Sequence, residues 1–421
     1  MRTYQFPLDL VRERSPERPV ALVRPRSVSV AARWFQDNLK ADVFYAVKAN
    51  PSAWVIEALI EAGVTAFDVA SLSEIELVRS VSADARLAFM HPVKGRSAIT
   101  KAYFDHGVRT FSLDSHDELQ KILDATGGAK DLNLMVRMAV SADGAAYTLS
   151  GKFGVATHDA PSLLLAVRQA TVDGLMGVSF HVGSQCMRPS AYEAAMAQVG
   201  RAISRAGVFV DIVDVGGGFP SVYPGMVPPD MQEYADAIHR GFNEMPVSET
   251  TELWCEPGRA LVAESSSILC QVELRKGDAL YLNDGSYGSL FDATHSRWPF
   301  PVKLVRDGES AGELKPFRFY GPTCDSIDHM PGPFYLPADV REGDYIEIGM
   351  LGAYGVAMST GFNGYGVHDI AAVEDAPMAS LYGLAPRSIP TVRTTAEETA
   401  RKVVRFSRPK GKAGQRKKSR R

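Results

Sequence analysis

Cysteine is scarce in this chain, with only Cys186, Cys255, Cys270 and Cys324 among 421 residues. Four scattered thiols cannot frame a disulfide scaffold, and without a CxxC pair there is no thiolate zinc site, so no metal is expected. Long apolar runs are also missing. None reaches the roughly eighteen residues of a membrane span, and the opening MRTYQFPLDLVRERSPERP holds no apolar segment of signal-peptide length. A cytoplasmic protein with reduced thiols and no membrane contact is the expectation. No GxGxxG opens an early helix, which removes the usual mark of a dinucleotide-binding sheet.

Charge is nearly balanced but unevenly placed. Residues 401–421, RKVVRFSRPKGKAGQRKKSRR, carry eleven Lys or Arg and no acid, and subtracting these from the net −3 leaves −14 on the rest. With little to bury, this tail is expected to be disordered, and any nucleic-acid contact it makes is nonspecific. The acidic body argues against a nucleic-acid enzyme and suits attraction of cationic substrates.

Eight short apolar runs alternate with stretches of helical spacing: DVFYAV (42–47), AFDVA (66–70), RLAFM (86–90), TFSL (110–113), LNLMVRM (132–138), GVSFHV (177–182), IVDVGG (212–217) and ELWCEPG (252–258). This is the pattern of a (β/α)8, TIM-like barrel. From about residue 266 the texture changes to SSILCQVEL, ALYLNDGSYG, PVKLVRDG, PFRFYGPTCDS and DYIEIGMLGAYGVAM, which read as strands of a C-terminal antiparallel β-sheet domain. The expected division is a barrel over 25–265, a sheet domain from 1–24 with 266–400, and the tail 401–421.

Barrel active sites sit at the C-terminal ends of the strands. Polar residues close the apolar runs there: Lys48, Asp68, His91, Asp114, Arg137, His181, Gly216 to Gly218, and Glu256. Each alone has a structural reading, Lys48 as a strand exit and His91 and Asp114 as satisfied polar residues. Their convergence on one rim points to chemistry. A lysine amine at a barrel mouth forms a Schiff base with an aldehyde cofactor, and pyridoxal 5′-phosphate (PLP) matches the other residues. VGGGFP and EPGR stand after strands seven and eight, where barrels hold phosphate, and supply Gly216, Gly217, Gly218, Gly258 and Arg259. Glu256 is the carboxylate available to a pyridine nitrogen, and His181 offers a flat ring to stack on the cofactor.

The ordered set FYAVKAN, FDVAS, FHVGSQ, DVGGGFP, EPGR, NDGSYG, GPTCDSID and GAY, spread from about residue 24 to 370, resembles the ornithine/diaminopimelate/arginine decarboxylase family of fold-type III PLP enzymes. The pattern is nearest the eukaryotic-type ornithine decarboxylases. The resemblance implies Lys48 as the Schiff-base lysine, His181 as the stacking residue and Glu256 as the partner of the pyridine nitrogen. It implies that Ser184, Gly218, Gly258, Arg259 and Tyr354 hold the phosphate, with Asp68 and Arg137 supporting the cofactor. It further implies a head-to-tail homodimer in which GPTCDSID of one chain enters the other's site, Cys324 protonating the carbanion carbon and Asp325 binding the substrate's distal ammonium, with Tyr287 beside them. The implied reaction is decarboxylation of a basic L-amino acid, ornithine to putrescine first, with lysine or both substrates as the alternative and arginine behind them.

One stretch departs from the family pattern. Ornithine decarboxylases of the eukaryotic type carry a substrate-binding aspartate about ten residues past NDGxYGS. Here LFDATHSRWPFPVK places Asp292 early and His295 or Ser296 near the expected position, which implies a differently built distal-amine pocket. CDS, in place of a glutamate after the cysteine, argues against diaminopimelate. A racemase would have no need of GPTCDS, and an inactive decarboxylase-like regulator would typically have lost the lysine or cofactor residues.

Overall fold

The computed structural model describes residues 1–141, 145–147 and 151–389, and residues 1–389 belong to one compact unit. The basic tail lies outside the described residues. Eight parallel strands close into a barrel: Asp42–Ala46, Ala66–Val69, Arg86–Phe89, Thr110–Leu113, Asn133–Arg137, Met176–Ser179, Ile212–Asp214 and Glu252–Cys255. The eighth closes on the first, with Trp254 opposite Asp42 and Cys255 opposite Val43. All eight apolar runs of the sequence are these strands.

A helix follows each strand. Their starts are encoded locally: Ser71 and Ser115 accept hydrogen bonds from the backbone N–H of Glu74 and Glu118, and Asp230 forms a reciprocal cap with Glu233. Between helices and strands lies the main core, which includes Phe35, Phe67, Phe111 and Val178. A smaller cluster fills the barrel itself, formed by Phe44, Ala66, Ala88, Met90, Met135, Ile212 and Trp254. This packed plug leaves only the upper end of the barrel open to a ligand.

The second part is a nine-stranded sheet centred on Ser266–Lys276, which pairs antiparallel with Val20–Val23, Ala279–Leu282 and Tyr345–Ile348. Antiparallel pairing is the rule expected from the sequence, but the sheet is mixed. Asp369–Val373 runs parallel to both Val20–Val23 and Thr3–Tyr4, and Ala279–Leu282 runs parallel to Leu314–Tyr320. Two of the parallel pairs arise because strands from the two ends of the chain insert beside one another, and the third because the chain crosses over between residues 282 and 314, arrangements no hairpin pattern announces.

Candidate active site

Side chains alternate sides along a strand, so a residue two positions beyond one that points inward also points inward. Ala66, Met135, Ile212 and Trp254 fill the barrel interior. One pleat higher on the same strands stand Asp68, Arg137, Asp214 and Glu256. Ala46 and Met90 take the same step above Phe44 and Ala88. Parity therefore turns an apolar floor into a polar layer, and above it opens a cavity of about 440 Å3. Its lining includes Lys48, Asp68, Arg137, His181, Ser184, Gly217, Gly218, Glu256, Gly258, Arg259 and Tyr354, while Gly216, also expected at the phosphate end, lies outside the lining.

Lys48 is carried by a short turn, Val47–Ala49, just past the first strand. That turn is fixed from three directions. Tyr45 donates its hydroxyl hydrogen to the Asn50 carbonyl at 3.1 Å, the Asn50 amide donates to the Gly352 carbonyl at 2.8 Å, and Tyr354 N–H donates to the Ala49 carbonyl at 2.8 Å. The ammonium reaches Asp68 at 2.9 Å; the Lys48 side chain keeps 44% of its surface accessible while Asp68 keeps 2%. Burial is the largest influence on Lys48 and lowers its pKa, but the charges of Asp68 and then Glu256 outweigh it, leaving the amine above its ordinary value.

The carboxylate layer behaves differently. Burial, followed by repulsion from Asp214 and Asp68, pushes Glu256 well above the usual carboxyl range, against the pull of Lys48 and Arg137. Asp214, whose Oδ1 accepts the Gly216 N–H at 2.8 Å, is pushed up by burial to about 6. Two adjacent buried carboxyls resist ionising together, which is why both are raised. Burial, then Arg137 and Lys48, depresses His181 and keeps the imidazole neutral. Its Nδ1 accepts the Gly183 N–H at 2.9 Å, which places the ring proton on Nε2.

The opposite end is built from glycines and one arginine. Gly216 and Gly218 have φ of +68° and +101°, and a Cβ on Gly218 would stand 2.5 Å from the Gly183 carbonyl oxygen. Only glycine lets this backbone turn its amides toward a ligand. Arg259 is buried at the start of the short helix Arg259–Val262; it donates to the Tyr223 hydroxyl at 3.0 Å and lies 4.7 Å from the Trp298 ring centroid and 4.9 Å from that of Tyr354.

Cys324, Asp325 and Tyr287 do not line this cavity. Cys324 is exposed, and Asp325 accepts the Tyr287 hydroxyl hydrogen at 2.6 Å. Both loops are stitched by buried Asp328, whose carboxylate accepts from the backbone N–H of Ser286 at 2.7 Å and of Thr323 at 3.1 Å. Among the rim residues, Asp114 accepts the Gly154 N–H at 2.9 Å, and His91 lines the cavity while its Nδ1 accepts from Val93 N–H. His295 is exposed and packs on Phe291. Asp292, early in sequence, comes within 3.8 Å of the Arg259 guanidinium. Sequence reasoning passed over Lys152 and Phe153, which line the mouth, and Asp214 beneath Glu256. The parity of IVD would have found Asp214; nothing local marks the other two.

Fold and site define a barrel whose cavity joins a lysine backed by buried carboxyls to a glycine-rich pocket closed by a buried arginine. Residues 26–263 match the family model "Pyridoxal-dependent decarboxylase, pyridoxal binding domain". The chain belongs to this family of PLP-dependent amino-acid decarboxylases. It is 32% identical to the lysine/ornithine decarboxylase of Selenomonas ruminantium, over 80% of this chain and 85% of that one. It is 30% identical to the ornithine decarboxylase of Mus musculus, over 83% and 79%. A crystal structure of a mutant of SrLDC in complex with PLP superposes with a TM-score of 0.78 at 28% identity, covering 89% of this chain and 97% of that one. The likeness to eukaryotic-type ornithine decarboxylases is thus shared with a bacterial lysine/ornithine enzyme, and the family level is what the chain carries.

The residues present fit PLP. Arg259 Nε is buried without a hydrogen-bond partner among the described residues, on the glycine-lined side of the cavity, where an anionic group would satisfy it.

Proposed function

We propose that this cavity decarboxylates L-ornithine and L-lysine, with PLP held by the residues above and each site completed by a second copy of the chain. The observation that carries the reading is the single cavity joining Lys48, Glu256 and the Arg259–glycine pocket. We assign residues 25–265 to the cofactor-binding barrel and 1–24 with 266–400 to the sheet domain, of which 390–400 fall outside the described residues.

Lys48 is the covalent attachment point, and Asp68 Oδ2, 2.9 Å from its Nζ, can take the ammonium proton that must leave first. Gly217, Gly218, Gly258, Ser184, Tyr354 and Arg259 hold the phosphate. Glu256 would hydrogen-bond the pyridine nitrogen, and His181 would offer its ring for stacking on the cofactor. When bound, the cofactor supplies an electron sink for the pair released as the Cα–carboxylate bond breaks. Met90 and Phe153 give the cavity apolar surface, which favours loss of a charged carboxylate as neutral CO2. Cys324 of the partner copy returns a proton to Cα, and the partner's Asp325 holds the distal ammonium beside Tyr287.

Ornithine alone, the first expectation from the motifs, yields to a dual reading because ornithine and lysine differ by one methylene, which discriminates by only about 1–3 kcal/mol, and the relatives include both types. Release of CO2 from L-ornithine, L-lysine, L-arginine and meso-diaminopimelate tests this. Turnover of the first two within about a hundredfold of each other is expected; turnover confined to either of the last two would refute it.

A further inference from the structure

Arg259 opens a helix of only four residues, Arg259–Val262. A helix so short has no stability of its own, and nearly all its carbonyls are end groups that need partners elsewhere. Those partners can be named. The Arg259 carbonyl accepts from Ala263 N–H, that of Val262 from the Ser265 hydroxyl at 2.7 Å, and that of Ala263 from Gly352 N–H at 3.1 Å. The Ala260 carbonyl accepts from the Tyr382 hydroxyl at 2.9 Å.

Tyr382 belongs to the segment 379–389, which follows the last strand of the sheet and crosses back to the barrel. This segment is anchored beside the helix by buried Glu264, whose Oε1 accepts the Leu381 N–H at 2.7 Å and whose carboxyl also meets the Ser380 side chain. Farther along, Arg387 donates to the Asp230 carboxylate at 2.6 Å and to the Pro228 carbonyl at 3.0 Å. Those two residues end the loop that leaves Gly218 and carries Tyr223, the acceptor of the Arg259 guanidinium. The segment therefore grips both walls of the pocket assigned to phosphate, without touching the cavity.

We infer that residues 379–389 form a clamp that sets the position of Arg259, with Tyr382, Glu264 and Arg387 as positioning residues for binding the cofactor's phosphate. The inference rests on the PLP reading above. Its distinguishing consequence is selectivity for the phosphate: a displaced Arg259 weakens PLP but leaves pyridoxal, which lacks that group, unaffected.

Full-length protein, freed of cofactor, is titrated with PLP and with pyridoxal, as wild type and as Tyr382→Phe and Arg387→Ala. The first variant removes one oxygen and the second an exposed side chain, so both should fold, and circular dichroism with a thermal melt checks that they do. Loss of one well-placed hydrogen bond predicts about tenfold weaker PLP binding in Tyr382→Phe, a smaller loss in Arg387→Ala, and pyridoxal binding unchanged in both. Equal weakening of PLP and pyridoxal, or no weakening of either, overturns the clamp while leaving the cofactor reading intact. A wild type that binds neither ligand overturns both.

Discussion

Lys48 Nζ lies 2.9 Å from Asp68 Oδ2, although one residue sits on the turn past the first strand and the other on the second strand, twenty positions apart. The contact exists because Ala46 pairs with Asp68 in register, and the turn after Ala46 swings the lysine back over its neighbour. A lysine that merely marked a strand's exit into solvent would have no buried carboxylate waiting for it. If Lys48 is the attachment point proposed above, proton transfer across this pair sets the pH at which the amine reacts.

Borohydride reduction of the PLP-loaded protein should fix the cofactor to one peptide, that of Lys48, and Lys48→Ala should abolish the label. Asp68 is the chief attraction raising the Lys48 pKa, so Asp68→Asn should move the pH midpoint of PLP attachment to lower pH. A label on another lysine would refute the first expectation, and an unmoved midpoint the second.

Glu256 should matter in the transition state more than in binding. With its proton supplied to the pyridine nitrogen, it stabilises charge that develops only as CO2 leaves. Glu256→Ala should lower kcat by at least about a hundredfold, the scale of losing a preorganised partner of the reacting charge, with a much smaller change in KM. A variant with near-native kcat would reject the role.

How far the sequence foretold this arrangement depended on whether the signal was local. The barrel strands were legible because each is a short, mainly apolar run, and Asp68, Arg137 and Glu256 were legible because they interrupt or close those runs. His329–Pro337 was not read as a strand, since Gly332 and Pro333 interrupt it. The proximity of Asp292 to Arg259 was hidden because it is made by a five-residue helix, Phe291–His295, packing back on the barrel. The contact of Tyr382 with Ala260 spans 122 residues and leaves no periodic trace.

Glu264 predicts a pH dependence of stability. Burial, partly offset by its hydrogen bonds from Ser380 and Leu381, raises its carboxyl to about 7, above the ordinary value near 4.3 of an unfolded chain. A carboxyl raised on folding contributes stability that is fully present below the unfolded pKa and is lost as pH rises through the folded one. Wild type should therefore lose melting temperature relative to Glu264→Gln between about pH 4.5 and 7, because glutamine cannot ionise. Parallel Tm profiles for the two proteins over that range would show that the carboxyl is not perturbed.

Subunit mixing tests the two-chain site. Lys48 lines the cavity, whereas Cys324 and Asp325 lie outside it, near exposed Ile327, Phe362 and Tyr365. An exposed apolar surround next to an exposed thiol suits a contact with a second copy of the chain. If Cys324 serves the partner's cavity, Lys48→Ala and Cys324→Ala proteins are each nearly inactive as decarboxylases. When they exchange subunits at random, about half the dimers are mixed, and each mixed dimer holds one doubly defective site and one intact site. Activity should then recover to about a quarter of the wild-type value, as two-fold symmetry requires. Were both residues to act within one chain, every site would lack one of them and nothing would return. A mixture that stays inactive after exchange is demonstrated by mass spectrometry would confine the site to a single chain and remove Asp325 from substrate recognition across the interface.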